Sequence, residues 1–191
     1  MRISDCDILI VPGWLGCEPD HWQSLWAKDI ETARLIEEES WTAPNKEKWV
    51  ATILTAVAAT SQPTVLVAHS VGVITVAHAA RELSNSAVAG AFLVSAADVE
   101  NAHNWPVTHG YTWPDEGFGF KPIPEERLPF PSVLISSSDD PYCQQIRARQ
   151  FATAWGSDFI DVGPAGHITA ASGYGPWPDG RARFNDFLAR L

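Results

Sequence analysis

The stretch Thr64-Val65-Leu66-Val67-Ala68-His69-Ser70-Val71-Gly72-Val73 joins two apolar runs through a serine that has small residues near it. The first run is rich in β-branched residues and is typical of a buried strand, and the second favours a helix. Ala68 and Gly72 stand two places before and two places after Ser70, where small side chains let the backbones approach closely. The pattern predicts a strand, a sharp turn that exposes the Ser70 hydroxyl, and a helix over 71–83.

Outward from this stretch, apolar runs of strand length alternate with helical patterns. The predicted strands are 8–11, 34–38, 64–68, 88–95, 133–136 and 159–162. The predicted helices are 20–30, with Asp20 as N-cap, 45–59, 71–83, 141–155 and 181–191. Apolar parallel strands need cover on both faces. We therefore expect one α/β domain over 1–191, with three layers and a mostly parallel sheet of about six strands.

Charge and cysteine content narrow the function classes. The 13 basic and 23 acidic residues leave a net charge of −10, which disfavours a nucleic-acid or anionic-membrane partner. Cys6, Cys17 and Cys143 are odd in number and widely spaced, which predicts reduced thiols and not a disulfide framework. No signal peptide and no membrane-spanning run is apparent, so a cytoplasmic location is expected.

Residues 98–131 break the alternation. They contain Trp105, Trp113, six prolines and three glycines without periodicity. Long ordered loops are often functional, and this one follows a strand on the side where open α/β sheets bind ligands. We interpret it as a wall of a substrate pocket, with Trp105, Trp113 and Tyr142 as candidate substrate-binding residues. The alternative is a packed cover that does not touch substrate.

A serine hydroxyl needs a base, and the base needs a carboxylate to orient it. His167 follows the last predicted strand in a glycine-rich turn and is the candidate base. Asp139 and Asp140 follow the fifth strand, so the order is serine, aspartate, histidine. Pro141 could begin the next helix, with one aspartate as its cap and the other near His167. Spacing does not choose between them, and both could be turn residues only.

The backbone N–H groups of Val71 and Trp14 are the candidate donors to a developing oxyanion. Val71 follows the serine, and Trp14 lies after an earlier strand.

The remaining histidines are expected to have other roles. His69 packs beside the turn, His21 and His78 are structural, and His103 and His109 could touch substrate. Neither a nucleotide-binding motif nor a tight set of metal ligands is present, so we expect no cofactor and no metal.

Six segments together resemble the small serine hydrolases related to retinoblastoma-binding protein 9, in particular bacterial members. They are Val11-Pro12-Gly13-Trp14, His21-Trp22-Gln23-Ser24-Leu25-Trp26, Ala68-His69-Ser70-Val71-Gly72, Ser138-Asp139-Asp140-Pro141-Tyr142, Gly166-His167-Ile168 and Ala171-Ser172-Gly173-Tyr174-Gly175-Pro176-Trp177-Pro178. The resemblance implies a compact α/β-hydrolase fold without a large lid and a Ser-Asp-His triad. It assigns Asp140 to the triad, with Asp139 as the fallback.

The resemblance does not extend to a partner. Animal members are linked to retinoblastoma-type proteins through an L-x-C-x-E motif. Leu15-Gly16-Cys17-Glu18 lacks the second spacer of that motif, so the role is not transferred.

The expected function is hydrolysis of small carboxylic esters, or amides, through an acyl-enzyme on Ser70. Two alternatives stay open at this point. One is a non-catalytic domain of the same fold that binds a partner or small ligand, because fold does not guarantee function. The other is a cofactor-free lyase or haloperoxidase-like activity on the same three residues.

Overall fold

The computed structural model describes the backbone of residues 1–191 and every side chain except that of Asn85. One sheet of six strands, in the order β2-β1-β3-β4-β5-β6, forms the centre of the molecule. The strands are Asp7–Val11 (β1), Ala33–Leu35 (β2), Thr64–His69 (β3), Val88–Val94 (β4), Ser132–Ser136 (β5) and Asp158–Asp161 (β6). Every neighbouring pair is parallel, so the predicted α/β class is confirmed and the sheet is fully parallel.

Helices cover both faces of the sheet. They are Trp22–Asp29 (α1), Lys46–Ala58 (α2), Val71–Ala79 (α3), Gln145–Trp155 (α4) and Pro178–Leu188 (α5). Helices α1 and α5 pack against one face through Trp22 and Phe184. Helices α2, α3 and α4 pack against the other through Trp49, Ile74 and Phe151. The expected three layers are therefore present.

Alternate residues of the central strands enter opposite cores. Ile8 and Ile10 of β1 face the core under α1 and α5, and Leu9 faces the other core. All three are fully buried, which explains why the strands read as continuous apolar runs. The longest helix, α2, has 13 residues, and no helix in the described residues is long and apolar enough to cross a bilayer.

The sheet order reverses direction at β1. From β1 the chain moves to the edge strand β2 and then returns to β3 on the other side of β1. The loops that leave β1 and β3 therefore turn away to different faces, and a crevice opens between them at the carboxyl ends of the strands. Ser70 lies at this position, directly after β3.

Several predicted helix boundaries differ from the structure by up to four residues. Helix α3 ends at Ala79 and is followed by a 3-10 helix, Glu82–Asn85. Helix α5 begins earlier than predicted, with Pro178 in its first turn. Helix α4 begins at Gln145 and not at Pro141, because Asp140 Oδ1 accepts the Tyr142 N–H and holds this segment in a turn. Neither aspartate caps the helix, so that prediction is wrong.

The N-cap of α1 is His21 and not the predicted Asp20. The ring Nδ1 of His21 accepts the backbone N–H of Gln23 at 3.2 Å, a role usually taken by a carboxylate, amide or hydroxyl oxygen. Histidine is not among the preferred N-cap residues, so sequence preference points to the neighbouring aspartate.

Residues 98–131 contain two 3-10 helices, Val99–Asn104 and Gly117–Gly119. Arg147 of α4 holds both ends of the segment. Its guanidinium donates to Glu100 at 2.6 Å and to Glu125 at 2.9 Å. The segment is therefore a packed part of the molecule.

The turn after β3 generates a stability prediction. A Cβ at Gly72 would lie 2.4 Å from the carbonyl oxygen of Pro12 and 2.6 Å from that of Val11. Both are backbone atoms that cannot rotate away, so Gly72→Ala should lower the free energy of unfolding by about 1–3 kcal/mol. Urea denaturation measures this. Gly175→Ala is the control, because its Cβ would meet one backbone oxygen at 3.1 Å. Equal midpoints for the two variants would contradict the prediction.

Candidate active site

Ser70 sits between β3 and α3 in a strained backbone conformation. Its φ is 57° and its ψ is −127°, a region that residues other than glycine rarely occupy. Such a residue costs roughly 1–3 kcal/mol and persists only where its surroundings hold it. The Ser70 N–H donates to Val94 O, and Ser70 O accepts the Val73 N–H. The side chain thus stands at the turn, where its residue is 8% exposed.

Ser70, His167 and Asp140 form a hydrogen-bonded array. His167 Nε2 lies 2.8 Å from Ser70 Oγ. His167 Nδ1 lies 2.9 Å from each carboxylate oxygen of Asp140. In a neutral imidazole, Nδ1–H donates to Asp140 and Nε2 accepts the serine O–H. The Asp140 side chain is 2% exposed, so its interaction with His167 is poorly screened by solvent.

The loop that carries His167 is held from three sides. Asp139 Oδ1 accepts the N–H groups of Ala165 and Gly166, each at 2.8 Å. His69 Nε2 donates to the carbonyl oxygen of His167 at 2.8 Å. Trp22 Nε1 donates to the carbonyl oxygen of Ile168 at 3.0 Å.

These bonds hold a strained backbone. Ile168 has a φ of 49°, which is unusual for a β-branched residue. Its side chain is fully buried, so packing and the bond from Trp22 together hold the strained turn. The two adjacent aspartates therefore have different places. Asp140 contacts the imidazole, and Asp139 contacts the backbone of the loop that bears it.

The loop after β1 lies against the serine. A Cβ at Gly13 would lie 2.6 Å from Ser70 Cβ and 3.1 Å from Ser70 Oγ. The Trp14 N–H, next in the chain, has no acceptor among the described residues. Val71 opens α3, where the first N–H groups have no intrahelical partner. Of the two predicted oxyanion donors, Val71 directly follows Ser70 and Trp14 follows the glycine that packs against it. Both N–H groups lack an acceptor within the described residues.

A cavity of about 290 Å³ opens above this array. One wall is aromatic and is formed by Trp14, Trp105 and Tyr142. The Tyr142 ring lies 4.3 Å from the His167 ring, and Trp105 packs edge-on against Tyr142 at 5.3 Å. Trp105 Nε1 also donates to the Tyr142 carbonyl at 2.9 Å. These contacts couple the segment 98–131 to the turn that bears Asp140.

Trp113 does not line the cavity, although it was a candidate substrate-binding residue. It is 7% exposed and packs behind Trp14 and Trp105, with ring centroids 5.4 Å from each. Its ring therefore supports the aromatic wall from the core side. The sequence does not show that Trp105 lines the cavity while Trp113 lies behind it, because both tryptophans lie in the same irregular segment.

The cavity also has polar lining residues, among them Glu18, His21, Thr169 and Ser172. At the mouth, His109 Nε2 lies 3.3 Å from the Glu18 carboxylate and joins the segment 98–131 to the loop after β1. No lysine or arginine lines the cavity within the described part of the chain. The pocket is therefore amphipathic, since its lining includes both aromatic rings and hydrogen-bonding groups.

Two histidines beside the array are uncharged near neutral pH. Burial, with a smaller contribution from His167, lowers the pKa of His21 to about 4. Burial also lowers the pKa of His69 well below its ordinary value. Since His69 donates from Nε2, its proton is on that nitrogen. His69 thus packs beside the turn as predicted, but His21, which was predicted to be structural, lines the cavity.

Neither the cysteines nor His78 belongs to the Ser70–His167–Asp140 array. Among the residues that the structure describes, no three His, Cys, Asp or Glu side chains are grouped as metal ligands would be. The three cysteines, all in the described part of the chain, are free thiols. His78 Nε2 donates to the carbonyl oxygen of Phe120 at 3.0 Å, and His78 does not line the cavity.

Sequence reasoning did not single out Asp139 as the residue that holds the His167 loop, nor Thr169 and Ser172 as cavity residues. The sequence signal for Asp139 was the adjacent Asp140. Two neighbouring carboxylates at a strand end cannot both face one imidazole, so one of them must contact something else. For Thr169 and Ser172 the only signal was their position after His167.

A family model described as serine hydrolase matches residues 8–186 of the chain. No curated protein matches it. Among solved structures, the chain is similar to a YdeN-like hydrolase of Pectobacterium atrosepticum. The two are 29% identical with a TM-score of 0.83, over 97% of this chain and 92% of that one.

Two further solved structures share the fold. The ydeN gene product of Bacillus subtilis is 18% identical with a TM-score of 0.74, over 96% of this chain and 98% of that one. Est1E of Butyrivibrio proteoclasticus, with ferulic acid bound, is 12% identical with a TM-score of 0.71, over 98% of this chain and 90% of that one. At such identities these two similarities concern the fold alone.

The position of Asp139 predicts a pH dependence of stability. The Ser137 hydroxyl and the N–H groups of Gly166 and Ala165 hold the pKa of Asp139 below its ordinary value of 3.8. A carboxyl whose pKa is lower in the folded state stabilises the protein above its unfolded pKa. That stabilisation is lost as the pH falls through the folded pKa. Asp139→Asn should therefore lower the melting temperature at pH 6. Below about pH 4 the melting temperatures of the variant and the wild type should come closer together.

Melting temperatures measured from pH 2.5 to pH 7 at constant ionic strength test this. Asp115→Asn is the control, because Asp115 is exposed and its carboxylate forms no hydrogen bond within the described part of the chain. A difference between wild type and Asp139→Asn that stays constant over the whole range would contradict the prediction.

Proposed function

The chain belongs to the serine hydrolase family, and we propose that it hydrolyses small carboxylic esters, or amides, through an acyl-enzyme on Ser70. The observation that carries this proposal is the Ser70–His167–Asp140 array at the floor of the cavity. Distances of 2.8 and 2.9 Å match the spacing that a nucleophile, a general base and an orienting carboxylate require.

In the first half of the reaction, Ser70 Oγ attacks the carbonyl carbon while His167 Nε2 takes the hydroxyl proton. The imidazolium that forms is stabilised by Asp140, which is held by its bond from the Tyr142 N–H. The bond from carbon to the leaving group then breaks, and His167 gives the proton to the departing alcohol or amine. The acyl group remains as an ester of Ser70.

In the second half, water replaces the leaving group. His167 takes a proton from the water as its oxygen attacks the acyl carbon, and returns that proton to Ser70 Oγ as the bond to the serine breaks. The products are the free acid and the original enzyme. In both halves the negative oxygen would be bound by the N–H groups of Trp14 and Val71. Trp14 lies in the loop after β1, and Val71 is the first residue of α3.

The cavity supports a small substrate. At about 290 Å³ it is at the lower end of ligand sites. We assign substrate contact to Trp105 and Tyr142, whose rings line it beside His167. Trp113 would act indirectly by supporting that wall.

Three further assignments belong to this proposal. The motifs around Trp14, Ser70 and His167 support a place near the hydrolases related to retinoblastoma-binding protein 9. Residues 1–191 would act as one domain, because loops after β1, β3, β5 and β6 of one sheet supply the array and its donors. The three free thiols support a cytoplasmic location.

Covalent labelling tests whether Ser70 is a nucleophile. A fluorophosphonate probe should label the folded wild-type protein, because it reacts with serines that an adjacent base activates. Ser70→Ala should abolish labelling, and Ser61→Ala, which changes an exposed serine away from the cavity, should not. An unlabelled wild-type protein would instead favour a non-catalytic binding domain.

Hydrolysis of short-chain p-nitrophenyl esters tests the two aspartates. Asp140→Asn should lower kcat by roughly 10³–10⁴-fold, because the imidazole loses the carboxylate that sets its tautomer. Asp139→Asn keeps an oxygen acceptor for the His167 loop and should cost far less. A larger loss in Asp139→Asn than in Asp140→Asn would transfer the triad role to Asp139.

A further inference from the structure

His21 combines two roles on its two ring nitrogens. Nδ1 caps α1 by accepting the Gln23 N–H at 3.2 Å. Gln23 is itself fully buried, and its Nε2 donates to the Val11 carbonyl at 3.1 Å. The start of α1 is therefore tied to the end of β1, and the His21 ring is tied to the start of α1.

This arrangement determines where the imidazole proton lies. The pKa of His21, lowered to about 4 by burial, leaves the ring neutral at pH 7. A neutral imidazole has one N–H, and a nitrogen that accepts a hydrogen bond cannot carry it. The proton is therefore on Nε2. That nitrogen donates to no other group among the described residues, while the side chain lines the cavity.

The position of His21 relative to the reacting atoms is given by ring contacts. The His21 ring lies 5.1 Å from the His69 ring, and the His69 ring lies 4.8 Å from the His167 ring. The His69 ring thus contacts both the His21 ring and the His167 ring, and all three side chains line the cavity together with Ser70. The rings of Trp14 and Trp105 line the same cavity.

We propose that His21 is a specificity-determining residue whose Nε2–H donates a hydrogen bond to an oxygen of the substrate near the scissile carbonyl. The enzyme would then prefer esters with an ether, hydroxyl or carbonyl oxygen at that place over esters with a methylene group. This inference rests on the proposed hydrolase function, and it adds the substrate class. A buried donor left without an acceptor disfavours the methylene analogue, because binding removes the donor from water.

Two substitutions of His21 test the roles of its two ring nitrogens independently. An asparagine side chain places its oxygen near the position of Nδ1, so His21→Asn keeps the cap and removes the donor. A glutamine side chain reaches the position of Nε2, so His21→Gln keeps a donor and removes the cap. A purely structural histidine would show only the effect of losing the cap.

The readout is the ratio of kcat/KM for matched esters. One pair varies the acyl group, p-nitrophenyl methoxyacetate against p-nitrophenyl butyrate. The other varies the alcohol, 2-methoxyethyl acetate against butyl acetate. We expect the ratio for at least one pair to fall by roughly three- to tenfold in His21→Asn, the loss expected for one hydrogen bond. His21→Gln should retain most of the wild-type ratio, and its melting temperature should fall by roughly 2–4 °C.

His103→Asn is the matched control, because His103 is exposed and lies outside the cavity, and it should change neither ratio. Two results would overturn the inference while the probe still labels Ser70. One is a pair of ratios in His21→Asn equal to those of wild type. The other is a loss of preference in His21→Gln but not in His21→Asn. Absence of any ester hydrolysis by the wild-type protein would overturn the proposed function, and this inference with it.

Discussion

The contact between the loop after β1 and the turn after β3 is the constraint on which the rest of the site depends. At Gly72 two backbone carbonyls, those of Val11 and Pro12, occupy the space that a side chain would need. At Gly13 the serine itself occupies that space. This close approach puts the loop that bears Trp14 beside Ser70, and it is possible only because both positions lack a Cβ. The same contact holds Ser70 in a conformation that an isolated turn would leave.

The second requirement is that a separate loop deliver an imidazole to that serine. His167 lies in the loop after the last strand, β6, and is 97 residues from Ser70 in the sequence. Its neighbour Ile168 has a positive φ. Bonds from Asp139, His69 and Trp22 offset the cost of this conformation. Since these three residues come from different parts of the chain, the geometry of the base is a property of the assembled sheet. Strain at both Ser70 and Ile168 is consistent with a site that is held ready.

The cavity is lined by residues from several elements of the fold. The segment 98–131 supplies Trp105 and Thr108, and Arg147 anchors both ends of that segment to α4. The loop after β1 supplies both Trp14 and Glu18, and the cap of α1 supplies His21. A mobile loop would present its rings in many arrangements. Here Trp113 supports the aromatic wall from within the core.

The sequence by itself determined the fold class, the six strands and the order of the three site residues. These follow from local pattern, because buried parallel strands are continuous apolar runs and each site residue directly follows one. Spacing left Asp139 and Asp140 open, and only the family resemblance favoured Asp140. The tertiary structure decided which of them meets His167, because the two adjacent side chains contact different neighbours. It also decided that His21 caps α1 and lines the cavity and that Trp113 lies behind it. Those roles depend on residues far apart in the sequence, and a pattern of neighbours carries no information about such contacts.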